Sequence, residues 1–238
     1  ATVLTLSLMS LPANAGAVLD SVMKKGVLKV ATDANWAPQS FINSKNEMDG
    51  FDVDVAKEIA KRMGVKLECI TPAWEIITAG RWAGRWDMHV GSMTPTKKRM
   101  EVLEFPAFYY YTPAAIAVHN DSKATKHEDL IGKTIGVATA TTYESYLRKE
   151  LEQDAEGVPP VEFIVTTDKV KSSESSNTAL DALRLGAGVR LDAVISSLRT
   201  FVIAHKHGYP IKLVAKPSYL EPIAVAFDLC EKELIAKP

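Results

Sequence analysis

Hydrophobic residues recur with two different periods in the first part of the chain. Short apolar and β-branched runs predict strands, and apolar residues three or four positions apart predict amphipathic helices. Asp52 is a candidate N-cap for one of these helices, and Gly64 is its stop signal. The predicted order is strand 27–31, helix 52–63, strand 65–70, helix 74–83 and strand 87–90. This alternation is typical of a mainly parallel α/β sheet.

The alternation restarts after an extended aromatic segment. Residues 105–118 are apolar and aromatic, and Pro106 and Pro113 argue against a helix there. The polar segments 152–160 and 169–176 are predicted surface loops. The elements predicted after the crossing are strand 134–138, helix 142–151, strand 161–165, helix 177–185, strand 192–195, helix 198–205 and strand 211–214. Two successive α/β blocks predict two lobes with a cleft between them.

Composition and charge narrow the class of protein. A chain of 238 residues, 47% of them hydrophobic, is long enough to form two lobes. Its 28 basic and 29 acidic residues give a net charge of −1, which does not favour nucleic acid or an anionic membrane as a partner. Residues 1–15 are an uncharged apolar run ending in the signal-peptidase pattern Ala13-Asn14-Ala15. We interpret them as a signal-peptide remnant, and the alternative is a buried first strand or helix.

Residues that usually carry catalysis or bind metal show no recognised pattern. Cys69 and Cys230 cannot form a CxxC motif or a zinc site, and whether they pair depends on their separation. The histidines lack ligand spacing, GxSxG is absent, and Gly186-Ala187-Gly188 follows a predicted helix rather than a strand. We expect Cys69 to be a buried inert thiol, and we expect no cofactor and no metal.

Two predicted strand ends carry residues that suit an anion. Thr96 can cap a short helix that bears Arg99, whose planar guanidinium matches a carboxylate. Thr141 and Glu144 fit a capping box, so a second helix also begins where a strand ends. Ligands in open α/β sheets bind beyond the carboxyl ends of strands. A solvated basic run and a purely structural cap are the alternative interpretations, but two such sites facing one cleft favour binding.

Five segments resemble the periplasmic polar amino-acid-binding proteins of ABC transporters, the extracellular solute-binding family 3: 26–41, 50–64, 83–110, 130–147 and 221–228. The resemblance implies an α/β fold of the type II periplasmic-binding-protein class. Lobe 1 is then residues 16–120 plus 221–238, and lobe 2 is residues 121–220. It also implies an exported, periplasmic monomer that delivers a small carboxylate or amino acid to a membrane ABC-transporter permease. The chain stops at Pro238, before the family's closing helical segment, so we expect a fragment.

The resemblance also assigns roles within the cleft. Arg99 matches the carboxylate clamp, and Thr94 with the Gly91 backbone matches positions that hold the α-ammonium. Thr141 and Thr142 match the second-lobe donors to the carboxylate. Asp33, Trp36 and Trp74 match positions around the ligand side chain. The predicted ligand-binding residues are Asp33, Trp36, Trp74, Gly91, Ser92, Thr94, Arg99, Thr141, Thr142, Ser197 and Arg199.

Ser197 departs from the family, which usually has an aspartate there to pair with the α-ammonium. Losing a charge-assisted hydrogen bond typically weakens binding by about 1.5–3 kcal/mol. Either another acid, Asp33 or Glu221, substitutes, or the ligand lacks an ordinary α-ammonium. Arg199 is then available for a second anionic group, although a solvated helix residue is an equal alternative. We therefore expect acidic, N-substituted or non-amino carboxylates to bind better than arginine or lysine.

Cyclohexadienyl dehydratases share this scaffold and provide the enzymatic alternative. Their chemistry needs an acid in the cleft to protonate a leaving hydroxyl. Thr200 stands where those relatives carry the acid, which leaves Asp33, Glu75 and Glu221 as candidates. A receptor's ligand-sensing domain would need a transmembrane segment after lobe 2, and the sequence contains none up to Pro238. We expect a binding protein rather than an enzyme.

Overall fold

The computed structural model describes residues 17–153, 155 and 158–229. The predicted signal-peptide remnant lies outside these residues, and so does Cys230, so the pairing of Cys69 stays untested. Within the described ranges, no helix is both long enough and apolar enough to cross a bilayer.

Helices and strands alternate as the hydrophobic pattern predicts. The helices are α1 Ala17–Lys25, α2 Phe51–Met63, α3 Trp74–Thr78, α4 Lys97–Met100, α5 Thr142–Leu147, α6 Ser176–Leu183 and α7 Leu198–Lys206, with a 3₁₀ turn at His127–Leu130. The strands are β1 Val27–Ala31, β2 Asn35–Trp36, β3 Ser40–Ile42, β4 Met48–Asp49, β5 Lys66–Ile70, β6 Met88–Met93, β7 Leu103–Glu104, β8 Phe108–His119, β9 Ile135–Ala138, β10 Val170–Ser173, β11 Ala193–Ser197, β12 Ile211–Leu213 and β13 Tyr219–Asp228.

The main sheet consists of two parallel blocks joined by two long strands. Its order is β10-β9-β11-β8-β13-β6-β1-β5, with β12 beside β8 and β7 beside β13. β1 is parallel to β5 and β6, and β9 is parallel to β10 and β11. The central strands β8 and β13 run antiparallel to each other and to the block beside each of them. The predicted two-lobe α/β class is confirmed, whereas the lobe boundaries given above stay a prediction.

Each block has its own hydrophobic core. Leu28, Ala56 and Val90 belong to a buried cluster of the first block, which extends to the end of β13. Ile116 and Ile195 belong to a cluster of the second block. Among the described residues, the fully buried members of each cluster come from one block and the adjoining part of β8 or β13. Separate cores allow the two lobes to move as units about the strands that join them.

Helix α2 has the predicted apolar face but a different N-cap. Gly50 occupies the cap position, and Asp52 lies in the first turn with a fully buried side chain. The Asp52 carboxylate accepts hydrogen bonds from Ser92 Oγ at 2.7 Å and from the Tyr109 hydroxyl at 2.8 Å. Because these long-range partners occupy the side chain, Asp52 does not cap the helix, and the N-cap prediction is wrong.

Two predicted helices end early because the backbone leaves the helical region. The helix predicted over 74–83 ends at Thr78, since Gly80 and Arg81 have φ values of 64° and 55°. The helix predicted over 142–151 ends at Leu147, and Lys149 follows with φ at 61°. Three positive φ angles thus account for both errors.

The predicted strand 161–165 is wrong, and the strand lies later in the chain. β10, at Val170–Ser173, pairs in parallel with β9 and falls within the segment predicted to be a loop. Phe163 and Val165 pack against the core of the second block, and Val165 is fully buried. The apolar pattern of this segment reflects packing without strand pairing.

The two glycines that flank α2 give a matched test of backbone strain. A Cβ on Gly50, at φ 115°, would lie 2.4 Å from the Gln39 carbonyl oxygen, whereas a Cβ on Gly64, at φ 71°, meets nothing within 4 Å. We expect Gly50→Ala to lower the free energy of unfolding by about 3 kcal/mol or more. Gly64→Ala should cost about 1–2 kcal/mol, the cost of a left-handed alanine. Urea unfolding measures both, and equal losses would contradict the steric argument.

Candidate ligand-binding cleft

A cavity of about 60 Å³ lies between the two blocks of the sheet. It is lined by the segment after β1, by the ends of β6 and β9 with the residues that follow them, by the starts of α3 and α6, and by one residue of β13. The lining residues of the first block are Asp33, Asn35, Trp36, Trp74, Gly91, Ser92, Thr94 and Arg99. Those of the second block are Ala138, Thr139, Thr141, Thr142, Tyr143, Glu174, Ser175 and Ser176, and Glu221 comes from β13.

Arg99 is a charged side chain that is almost completely buried in this cleft. The Thr96 hydroxyl caps α4 by accepting from Arg99 N at 3.2 Å, which fixes the start of the helix. Arg99 is 7% exposed, and its Nη1 donates to the Thr94 carbonyl at 2.8 Å. Nη2 donates across the cleft to the Ala140 carbonyl at 2.9 Å. Burial lowers the pKa of Arg99 to about 10, so the group stays charged at neutral pH.

The opposite wall is the start of helix α5. Thr141 caps this helix by accepting from Glu144 N at 3.3 Å, and its hydroxyl donates to the Ala138 carbonyl at 2.6 Å. The Thr142 hydroxyl donates to Glu221. Among the described residues, the N–H groups of Thr142 and Tyr143 have no acceptor. The groups available to an anion on this wall are therefore backbone donors rather than the two hydroxyls.

Glu221 lines the cleft and contacts both of its walls, although the sequence suggested it only as a substitute acid. It is 1% exposed, and its Oε1 accepts from Thr94 Oγ1 at 3.1 Å and from the Thr142 hydroxyl. Oε2 has no partner of good hydrogen-bond geometry in the described structure, although the Tyr143 hydroxyl lies close to the carboxyl group. Burial raises the pKa of Glu221, and the hydrogen bond from Thr142 acts against that shift.

Three side chains of the first block form the rest of the wall. Asp33 accepts from Asn35 N at 2.7 Å, and burial raises the pKa of its carboxyl group. Trp36 and Trp74 are half-buried, as a cleft wall requires. Trp74 Nε1 donates to the Ala140 carbonyl at 3.1 Å, so this oxygen also accepts from a second residue of the first block.

The last residues of β6 are held by their own side-chain network. A Cβ on Gly91 would lie 2.6 Å from His89 Nε2, so the backbone approaches closely only because this residue is glycine. Ser92 adopts a φ of 61°, and its hydroxyl contacts Asp52 at 2.7 Å and the Tyr110 hydroxyl at 2.6 Å. These contacts hold a strained backbone beside the cavity.

Nine of the eleven predicted ligand-binding residues line the cavity, and Ser197 and Arg199 do not. Ser197 is 0% exposed, and its hydroxyl lies 3.0 Å from Thr112 Oγ1. It also caps α7 by accepting from Arg199 N at 3.3 Å. Thr200 is buried in the same helix, and Glu75 is exposed on α3 outside the cavity.

No group of three or more His, Cys, Asp and Glu side chains suited to holding a metal ion occurs in the part of the chain that the structure describes. Cys69 is only partly buried, and burial raises the pKa of its thiol. The expectation of an inert thiol therefore has a physical basis, although the side chain is less buried than predicted.

Together, the fold and the cleft define a two-lobe α/β binding protein of the type II periplasmic class. The chain belongs to the bacterial extracellular solute-binding proteins, family 3, whose sequence model matches residues 28–199. This assignment rests on a match over most of the chain and agrees with the solved structures of similar fold.

Several similar proteins and solved structures are named for an amino acid or an amino-acid derivative. The L-cystine-binding protein TcyJ of Escherichia coli K12 is 27% identical over 75% of this chain and 61% of its own length. The octopine-binding periplasmic protein of Rhizobium meliloti is 30% identical over 50% of this chain and 49% of its own length. The chain thus spans about half to three-fifths of these relatives. The arginine-bound form of truncated ArgBP from T. maritima has a TM-score of 0.77 and 26% identity, and the match covers 91% of this chain and 94% of that one.

His89 is a buried neutral imidazole beside the cleft. Neither ring nitrogen has a hydrogen-bond partner in the described structure, and the ring packs edge-on against Trp74 with centroids 5.7 Å apart. Burial lowers the pKa of His89 from 6.5 to about 3, and the nearby Arg99 charge adds to the effect. The unfolded chain therefore binds a proton at this position more readily than the folded protein does.

His89 should make the protein less stable in mild acid. As pH falls below about 6.5, its contribution to the free energy of unfolding should decrease by up to about 1.4 kcal/mol per pH unit. We expect the nontitrating His89→Gln variant to lose this dependence in urea unfolding between pH 7.5 and pH 5. The control is His205→Gln, which changes an exposed residue of α7 and should follow the unsubstituted protein. Parallel curves for His89→Gln and the unsubstituted protein would contradict the assignment.

Proposed function

We propose that this protein captures an amino acid between its lobes outside the cytoplasmic membrane and presents it to an ABC-transporter permease. The observation that carries the proposal is the position of Arg99. It belongs to the first block, is buried, and reaches across the cleft to the Ala140 carbonyl at 2.9 Å. A residue that can clamp an anion is therefore also one that holds the two walls together.

The proposed clamp combines a side chain from one wall with backbone groups from the other. A guanidinium has five N–H donors, and the two contacts to Thr94 and Ala140 leave others for a carboxylate. Thr142 and Tyr143, whose N–H groups have no acceptor among the described residues, line the same cavity at the start of α5. Charge-assisted bonds from both walls are strong and directional. A carboxylate bound there would favour closure, because the complete set of donors exists only when the lobes meet.

Closure also involves contacts away from the cavity. Lys97 N donates to the Glu152 carbonyl at 3.0 Å, and Thr96 pairs with Gln153 in an isolated bridge. At another point, Asn177 Nδ2 donates to the Asn35 carbonyl at 3.3 Å. These contacts give the closed form a defined outer surface, which a permease could distinguish from an open form.

Removing the Arg99 guanidinium should weaken binding. After a thermal-shift screen of amino acids has identified a ligand, we expect Arg99→Ala to reduce its binding by about 2–5 kcal/mol in calorimetry. The matched control is Arg62→Ala, an exposed arginine of α2 that pairs with Glu58. Unchanged affinity in Arg99→Ala, with a folded protein by circular dichroism, would exclude the clamp.

A dehydratase is the second candidate, and one observation favours it. Glu221 is a buried acid with a raised pKa in the cleft, which is what protonation of a leaving hydroxyl requires. One structural neighbour is described as an ancestral amino acid-binding protein that is a precursor of cyclohexadienyl dehydratase, with 27% identity and a TM-score of 0.76. We favour binding, because the hydrogen bonds that Glu221 Oε1 accepts from Thr94 and Thr142 stabilise the ionised carboxylate, whereas a general acid must carry a proton.

The two candidates differ in turnover. We expect the purified protein to form no product from prephenate or arogenate above the uncatalysed rate. The measurement is product formation at enzyme concentrations high enough to detect slow catalysis. Steady turnover that disappears in Glu221→Gln would establish the enzymatic alternative and overturn the binding proposal.

A further inference from the structure

Ser197, one of the predicted ligand-binding residues, cannot supply a charge for a ligand's ammonium. Its side chain is fully buried, shares a hydrogen bond with Thr112 and caps α7. It does not line the cavity. A charge complementary to an ammonium must therefore come from another element.

Glu221 is the most deeply buried of the acids that line the cavity. It lies on β13, one of the two strands that join the lobes, and it is 1% exposed. Oε1 accepts from Thr94 on one wall and Thr142 on the other, which orients the carboxyl group between them. Oε2 has no hydrogen bond of good geometry among the described residues, although the Tyr143 hydroxyl lies close to the carboxyl group. A buried carboxylate oxygen without a well-formed hydrogen bond is costly, and a cation is its strongest complement.

The charge balance of the cavity supports a cationic partner. Three acids line the cavity, Asp33, Glu174 and Glu221, against a single base, Arg99. The Arg99 guanidinium donates to the carbonyls of Thr94 and Ala140 and makes no ion pair with Glu221. The two groups are nevertheless close enough for each to shift the other's pKa. Opposite charges that are near but unpaired leave room for a zwitterion between them.

We propose that Glu221 is the counter-ion for the α-ammonium of the bound amino acid. This inference rests on the proposed function, and it takes the ligand to be an α-amino acid with a free ammonium. The carboxylate would bind Arg99 and the start of α5, while the ammonium would bind Glu221 Oε2. The ligand preference is then the reverse of the one expected from Ser197 alone, because dicarboxylates and non-amino carboxylates would place a negative or neutral group beside Glu221.

The test separates the ammonium from the carboxylate. A thermal-shift screen with the twenty L-amino acids and L-cystine selects the amino acid that stabilises the protein most. That amino acid and its 2-hydroxy analogue, which replaces the ammonium with a hydroxyl, are then titrated by calorimetry. We expect the amino acid to bind at least about 10-fold more tightly than the analogue. Glu221→Gln should weaken the amino acid about 10- to 100-fold and change the analogue by less than about 3-fold.

Two further variants control for folding and for charge. Glu221→Asp keeps the carboxylate and should retain part of the preference for the amino acid, which a merely structural role would not require. Glu47→Gln removes an exposed acid outside the cavity and should leave both affinities unchanged. The ligand-free melting temperature of each variant shows whether it is folded.

The outcomes distinguish this inference from the proposed function. If Glu221→Gln binds the amino acid as tightly as the unsubstituted protein does, or if that protein does not discriminate against the 2-hydroxy analogue, Glu221 is not the counter-ion. The clamp would still stand if Arg99→Ala abolished binding of both compounds. If no amino acid raises the melting temperature, the proposed function fails together with this inference.

Discussion

The side chain of Arg99 is buried, and the free-energy cost of removing its charge from water governs the arrangement of the cleft. A buried charge is tolerated only when its donors have acceptors. Thr94 provides one carbonyl from the same block, and Ala140 provides the other from the opposite block. The side chain is therefore satisfied within the protein only when the two walls are close. Trp74 donates to the same Ala140 oxygen, and its ring also packs against the Arg99 guanidinium.

The parts of the structure that depend on local sequence could be predicted. Helix α2 has its expected apolar face and ends before Gly64, and nine of the eleven predicted ligand-binding residues line one cavity. The prediction of a strand at 161–165 failed because an apolar run that packs on a core has the same composition as one that pairs in a sheet. β10 has a polar sequence, and only its partner β9 makes it a strand. Pairing between distant segments leaves little trace in such short runs.

Glu221 illustrates the same limit within the cleft. Locally, it is one of two acids in a mostly apolar crossing strand, and nothing in that pattern directs its side chain toward a ligand. Its place follows from the register between β13 and β8, in which Glu221 lies opposite Thr112. Thr112 in turn contacts Ser197, so the serine and the glutamate lie near the same point of the crossing while serving different purposes. The serine at position 197 could be noticed from the sequence alone. Choosing Glu221 over Asp33 as the residue that compensates for it required knowledge of the strand register.

The two crossing strands have a consequence for the order of events. β8 and β13 pair along their length, and the register shifts between Ile223 and Ala224, close to Glu221. When two bodies rotate about such a ribbon, side chains near the axis move little, whereas distant ones such as those at the start of α5 travel further. A solute entering an open cleft would therefore meet Arg99 and Glu221 in nearly their final positions and the α5 backbone only later. The rate of capture would then depend on the first wall and the pivot, and the residence time on the second wall.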